Sequence, residues 1–360
     1  SGLGVGGPSG KPAARKRTGA SAWAGVGNSF LCSRQRLSAA GYQCITGESA
    51  NRMAERVWVI LGPTAVGKTA VGILLAERLG GEIISADSGA VYRELDIGTA
   101  KPTPEEQKRV RFHLINVADP DTVFTAARFR ELAWEAIESI RSRGKKVLIV
   151  GGTGLYLRVL LHGFSLAPPP VDPEVRARLQ AECHQLGTQA LYEHLRRIDP
   201  EISERIHPND AVRIVRALEV YEMTGIPMSR WQSRSVSGLP ALKIGLTMPR
   251  EQLYARIEAR IDQMMAQGFL QEVRNLYQKG YNKDLPALKG LGYRQMIDYL
   301  EGRLSLEEAI RLWKRDSRRF AKRQMTWFRK ELGVYWLDAS ADAENTAQEI
   351  IRLIDKQGGL

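Results

Sequence analysis

The segment VWVILGPTAVGKTAVGILLAERLGG, residues 57–81, constrains this chain more than any other part of it. Val57–Leu61 is an unbroken apolar run of strand length, of the kind buried on both faces of a parallel sheet. Gly62–Thr69 then satisfies G-x-x-x-x-G-K-[ST] at every position. Gly62 and Gly67 let the backbone turn its N–H groups inward around a polyphosphate, and Pro63, Thr64, Ala65 and Val66 complete the cradle. The dipole of the following helix adds favourable potential. Lys68 brings a positive charge to the terminal phosphate oxygens, and the Thr69 hydroxyl can ligate magnesium. Helical spacing after the loop, stopped by Gly80 and Gly81, supplies the strand–loop–helix setting that such a motif requires.

The pattern continues in kind. Glu82–Ala86 reads as a second strand, Phe129–Arg143 as a helix, and KKVLIVGG as a third strand running into a glycine turn. This predicts an α/β fold: a P-loop NTPase-like parallel sheet flanked by helices. The alternation breaks after Gly163. The stretch SLAPPPVDPE is a Pro-rich boundary, residues 174–224 read as helices with no strand, and Leu242–Met248 reads as a return to the sheet. The expected organisation is therefore a core of residues 53–164 and 241–360 with an all-helical insertion at 165–240. Residues 250–332 are expected to be mostly helical, with a last strand at 334–338 and a closing helix at 341–356.

The strand KVLIV ends in GGTG, where hydrolases with this loop carry an aspartate for magnesium, and no NKxD base-recognition motif is present. A motor or a switch is disfavoured. The loop is expected to hold a phosphate group that leaves, or one passed to a small acceptor. The first 50 residues contain six basic residues and no acid before Glu48, with many Gly, Ser and Ala. Residues 1–52 are expected to be a structureless leader, either a targeting segment or an addition to the native chain. A cytoplasmic location is expected, or an organelle if the leader is a transit peptide. Removing the leader's net +5 from the total of +12 leaves +7, so the basic balance belongs to the folded part and suggests a polyanionic partner. No apolar run reaches the ~18–20 residues a spanning helix needs. Three scattered cysteines make neither a disulfide framework nor a CxxC zinc site.

Four further motifs follow the loop in order: ADSGAVYRELDIGTAKP at 86–102, GGTGLYLRVLLHG at 151–163, IHPNDAVRIVRALEVYEMTG at 206–225 and LKGLGYRQMIDYL at 288–300. Together they resemble the tRNA dimethylallyltransferase (tRNA isopentenyltransferase) family, from about Val57 to Asp338. The resemblance implies alkyl transfer. The N6 amine of an adenosine beside the anticodon attacks the allylic carbon of dimethylallyl diphosphate, and diphosphate departs. It implies tRNA and dimethylallyl diphosphate as partners and Mg2+ as cofactor, in a protein expected to act as a monomer away from membranes.

Asp87 follows the second strand at the sheet's carboxyl edge, where open α/β folds bind ligands. The resemblance assigns it the base role at N6, with Ser88, Gly89 and Ala90 lining the contact to the target base. By the same resemblance Thr153 and Arg176 contact tRNA. The segment Val212, Arg213, Ile214, Val215 and Arg216 meets substrate, with Arg216 counted as catalytic because an arginine fork suits diphosphate oxygens. Arg213 and Arg216 are three apart on one predicted helix face. Thr64, also counted as catalytic, can bond the diphosphate or bridge to Asp87, and both remain open. Lys289, Gly290, Leu291, Gly292, Tyr293 and Arg294 form a Gly-punctuated, basic and aromatic stretch suited to a nucleic-acid backbone.

Residues 311–330 hold nine Lys or Arg and a single acid, Asp316. Trp313, Phe320 and Trp327 recur at i+7 and are expected to pack on the body. The basic residues, Arg315, Arg318 and Lys322 among them, would then face phosphates. The competing reading is a small-molecule or nucleotide kinase using the same loop with ATP. It leaves the basic, aromatic helix unexplained. A non-catalytic RNA-binding module leaves the coexistence of the loop and Asp87 unexplained.

Overall fold

The computed structural model describes residues 56–163, 172–232 and 238–357. The expected leader and most of the Pro-rich boundary lie outside them. The core elements are β1 (Val57–Leu61), α1 (Lys68–Leu79), β2 (Gly81–Ala86), α2 (Pro104–Arg109), β3 (Phe112–His113), α3 (Ala126–Ser142), β4 (Lys146–Gly151) and α4 (Gly154–Leu161). Five helices follow: α5 (Pro173–Leu186), α6 (Thr188–Ile198), α7 (Pro200–Ser203), α8 (Ala211–Thr224) and α9 (Met228–Gln232). The chain returns through β5 (Ala241–Thr247), α10 (Arg250–Ala266), α11 (Phe269–Gln278), α12 (Tyr293–Leu300), α13 (Leu306–Phe328), β6 (Val334–Asp338) and α14 (Ala343–Lys356).

The six strands pair in the order β3-β2-β4-β1-β5-β6, every pair parallel. Burial on both faces explains why β1 and β4 read as unbroken apolar runs. The two-residue β3 has no such run and gave no signal in the sequence. Gly81, expected to end α1, instead opens β2, while Gly80 in a left-handed conformation (φ 61°) is the true cap.

Register places the site. Gly151 at the end of β4 pairs with Leu61 of β1 on one side and Ala86 of β2 on the other. The loops that follow these three neighbouring strands therefore leave the same edge at the same level, at the carboxyl ends where the strand order reverses. Helices α5–α9 enclose a separate apolar cluster that includes Leu179, Leu191, Leu195, Ile214 and Leu218. No helix among the described residues is long and apolar enough to cross a membrane.

Candidate active site

The phosphate loop is built as its residue types dictate. Gly62 has φ +149° and approaches β5 so closely that a Cβ would lie 2.6 Å from the Leu246 carbonyl oxygen. Gly67 is left-handed at the start of α1. The Val66 side chain is buried beneath the loop, so only its backbone can serve a ligand. Lys68 Nζ donates to the Pro63 carbonyl at 2.6 Å, folded back on the loop it is expected to complete. Burial lowers its pKa to about 8, with Asp87 pulling up and Arg260 pulling down. Thr69 follows on the first turn of α1.

Asp87 leaves the end of β2, and its Oδ1 accepts from the N–H groups of Gly89 (2.8 Å) and Ala90 (3.3 Å). This Asx turn uses Oδ1 alone, and Oδ2 accepts no hydrogen bond among the described residues. Thr153, at the mouth of β4, takes the Ser88 N–H on its Oγ1 at 2.9 Å and reaches the Ser88 hydroxyl at 3.3 Å. The turn after β4 is thereby tied to the Asp87 loop. Ala90 lies buried beneath that loop, which removes its side chain from any base contact.

A cavity of about 420 Å³ joins these parts, with Thr64 and Ala65 of the phosphate loop and Asp87, Ser88, Gly89 and Thr153 all on its wall. Of the stretch expected to meet a nucleic-acid backbone, Lys289, Gly290, Leu291, Tyr293 and Arg294 border it too. The Tyr293 ring is buried edge-on against Phe269, and its hydroxyl donates to Glu272 Oε1 at 2.7 Å. Arg294 pairs with Asp316 at 2.6 Å, Gly292 caps α12, and Lys289 is exposed.

Sequence reasoning missed two residues of the wall, Arg260 and Gln324, and one that braces a loop beside it, Glu272. Arg260 on α10 lines the cavity. Burial pulls its pKa down, while the nearby Asp87 charge opposes the shift. Its signal was an arginine within the apolar stripe Ile257, Ile261, Met264 at helical spacing. Gln324 is buried on the aromatic stripe of α13 and bonds both the phosphate loop and the turn after β4. Glu272 accepts the N–H groups of Asp96 (3.0 Å), Ile97 (2.7 Å) and Gly98 (3.2 Å), clamping the loop that follows Asp87. Lys101 grips the same loop through Asp96 at 2.7 Å and Asn116 at 2.6 Å.

The helical segment is not on the cavity wall. Arg176 and Arg216 both pair with the fully buried Glu219, at 2.7 and 2.6 Å, and Arg213 pairs with Asp210 at 3.2 Å. Arg216 is thus committed to Glu219 and not gathered with Asp87 and Lys68. Ile214 and Val215 correct the expectation of substrate contact. Helical periodicity turns their side chains into the α5–α9 cluster, while Val212 is 81% exposed.

The aromatic stripe of α13 packs as its spacing implied, and it also walls the cavity. Trp313 lies against Phe269, Phe320 lines the cavity, and Trp327 packs on Gly154. The basic face is less free than composition suggested. Arg315 pairs with Asp316 at 3.0 Å, Arg318 with Glu258, and Lys314 with Asp262 at 2.6 Å. Lys322 is exposed with no ion pair recorded among the described residues.

A parallel α/β sheet with this loop at its carboxyl edge defines a phosphate-loop protein of the P-loop NTPase-like class. A sequence model of the family described as IPP transferase matches residues 90–331. The chain is 49% identical over 286 residues to "tRNA dimethylallyltransferase 1" of Pelobacter propionicus, covering 79% of this chain and 92% of that one. It is 50% identical over 300 residues to the tRNA dimethylallyltransferase of Symbiobacterium thermophilum, covering 82% and 94%. The crystal structure of the full-length tRNA isopentenylpyrophosphate transferase of Bacillus halodurans superposes with a TM-score of 0.63 at 44% identity, covering 84% and 96%. A eukaryotic dimethylallyltransferase captured acting on tRNA superposes with a TM-score of 0.70 at 30% identity, covering 84% and 78%. The chain belongs to the tRNA dimethylallyltransferase family.

Proposed function

We propose that this enzyme transfers a dimethylallyl group from dimethylallyl diphosphate to the N6 amine of an adenosine next to the tRNA anticodon. One observation carries the reading: the phosphate loop and Asp87 face one cavity, with the cations Lys68 and Arg260 beside the carboxylate. The N6 lone pair forms a bond to the allylic C1 as the C1–O bond breaks, and diphosphate leaves with the electron pair. Asp87 takes the proton released from N6, a task for which its Oδ2 is free while Oδ1 holds the loop in place.

Charge develops on the departing diphosphate, and backbone N–H groups of the loop, Lys68 and Arg260 stabilise it. Ile257, Ile261 and Met264 offer an apolar wall for the five-carbon tail and exclude water from the allylic centre. A flipped-out base from a single-stranded loop is the form of RNA that could enter such a cavity. Lys322 and the other exposed cations of α13 supply sequence-independent attraction to the RNA backbone.

Magnesium fits this donor set in a particular way. Among the described residues no group of three or more His, Cys, Asp or Glu forms a metal cage. Mg2+ binds phosphates through few protein ligands, keeping several waters. The Thr69 hydroxyl would hold it together with diphosphate oxygens, and the ion would supply neutralising charge for the leaving group.

Incubating the protein with dimethylallyl diphosphate and an anticodon stem-loop, followed by mass analysis, tests the reading. A five-carbon adduct on adenosine is expected. Unaltered RNA together with ATP consumption in the presence of a small acceptor would instead identify a kinase.

A further inference from the structure

We propose that Gln324 is a positioning residue that spans the crevice between the ends of β1 and β4 and aims the diphosphate cradle. The inference rests on the prenyl-transfer reading. The Thr64 N–H donates to Gln324 Oε1 at 2.9 Å, and Gln324 Nε2 donates to the Gly152 carbonyl at 2.9 Å. Gln324 is only 8% exposed; its bond to Gly152 is buried, and its bond to Thr64 lies half-buried at the cavity wall. A Cβ on Gly152 would stand 2.5 Å from Nε2, so a side chain there would collide with the amide.

Both ends of this bridge adjoin the chemistry. Thr64 is the third residue of the cradle. Gly152 precedes Thr153, whose hydroxyl holds Ser88 next to Asp87. One amide therefore sets the spacing between the part that grips diphosphate and the part that meets the amine. An amide is needed because one side of the crevice presents an N–H and the other a carbonyl. A carboxylate would lack the donor and would place negative charge beside an anion site. The bridge also springs from the helix that carries Lys322 and Arg323, so one rigid element holds the cradle and presents cations to RNA.

Gln324→Leu keeps the volume and removes both bonds. It is expected to raise KM for dimethylallyl diphosphate about tenfold and lower kcat, with the Kd for the stem-loop unchanged. Gln324→Glu, which keeps an acceptor for Thr64 but adds charge, is expected to raise KM further. Gln324→Asn is too short to reach both sides. It serves as the second variant should the leucine protein fold poorly, and is expected to behave as that variant does.

The readouts are steady-state kinetics, calorimetric Kd for inorganic diphosphate, stem-loop Kd and Tm. A folded variant with wild-type KM and wild-type diphosphate Kd overturns the inference, whatever its Tm, as does a loss confined to stem-loop affinity. Failure of the wild-type protein to alkylate the stem-loop would sink the prenyl-transfer reading instead. The diphosphate Kd of the variants still reports on Gln324 in that event.

Discussion

The proposed transfer assigns Asp87 two jobs, one for each oxygen, and the substitution that separates them is Asp87→Asn. The asparagine Oδ1 still accepts from Gly89, so the loop stays in place while the carboxylate is lost. Turnover is expected to fall by ~10²–10⁴-fold, with stem-loop affinity little changed, in a single-turnover assay with enzyme in excess. Wild-type turnover would remove Asp87 from the reaction. Lys68 has a pKa near 8 because burial disfavours its charge. A bound diphosphate favours that charge. Diphosphate affinity should therefore be full below about pH 8 and weaken as pH rises through it, with proton uptake on binding above that pH. Calorimetry in buffers of different ionisation enthalpy measures the uptake, and Lys68→Ala should abolish it.

Within elements, helical periodicity separates residues that composition had grouped. On α13, Lys322→Glu should lower the slope of log K against log[salt] for stem-loop binding by about one, with Tm unaltered. Arg315→Glu would set a negative charge against Asp316, whose pKa is held down by Arg315 and Arg294 in spite of burial. It should lower Tm as well as affinity. A variant of Lys322 with an unaltered salt slope would place the RNA elsewhere. On α11, Glu272→Ala strips the acceptors from three backbone N–H groups of the loop that follows Asp87. It should destabilise the protein by about 1–3 kcal/mol in denaturant titration and reduce turnover, with Glu272→Gln milder in both.

At the scale of the molecule the described residues form two apolar cores, one around the sheet and one inside α5–α9. Leu218 is fully buried in the second, and Leu218→Ala should cost about 2–5 kcal/mol. Hydrogen exchange should lose protection in α8 and its neighbours while β1 and β4 keep theirs, because the helical cluster shares little packing with the sheet. Equal losses in both would show that the two cores unfold as one.

The strands β1, β2 and β4, the phosphate loop and Asp87 were legible in the sequence, because buried parallel strands need apolar runs and a phosphate cradle needs particular glycines; β5 and the unburied edge strand β6 showed through β-branched and aromatic residues instead. Both demands are local, and a local demand is written in consecutive residues. Strand order, the inward turn of Ile214 and Val215, the pairing of Arg216 with Glu219, the arrival of Arg260 and Gln324 at the cavity, and the clamp of Glu272 on the loop after Asp87 were not. Most depend on partners tens to hundreds of residues away, as Thr64 and Gln324 are, and even the short-range Arg216–Glu219 pair forms where packing has buried Glu219. A side chain's neighbours at that separation exist only once the chain has packed.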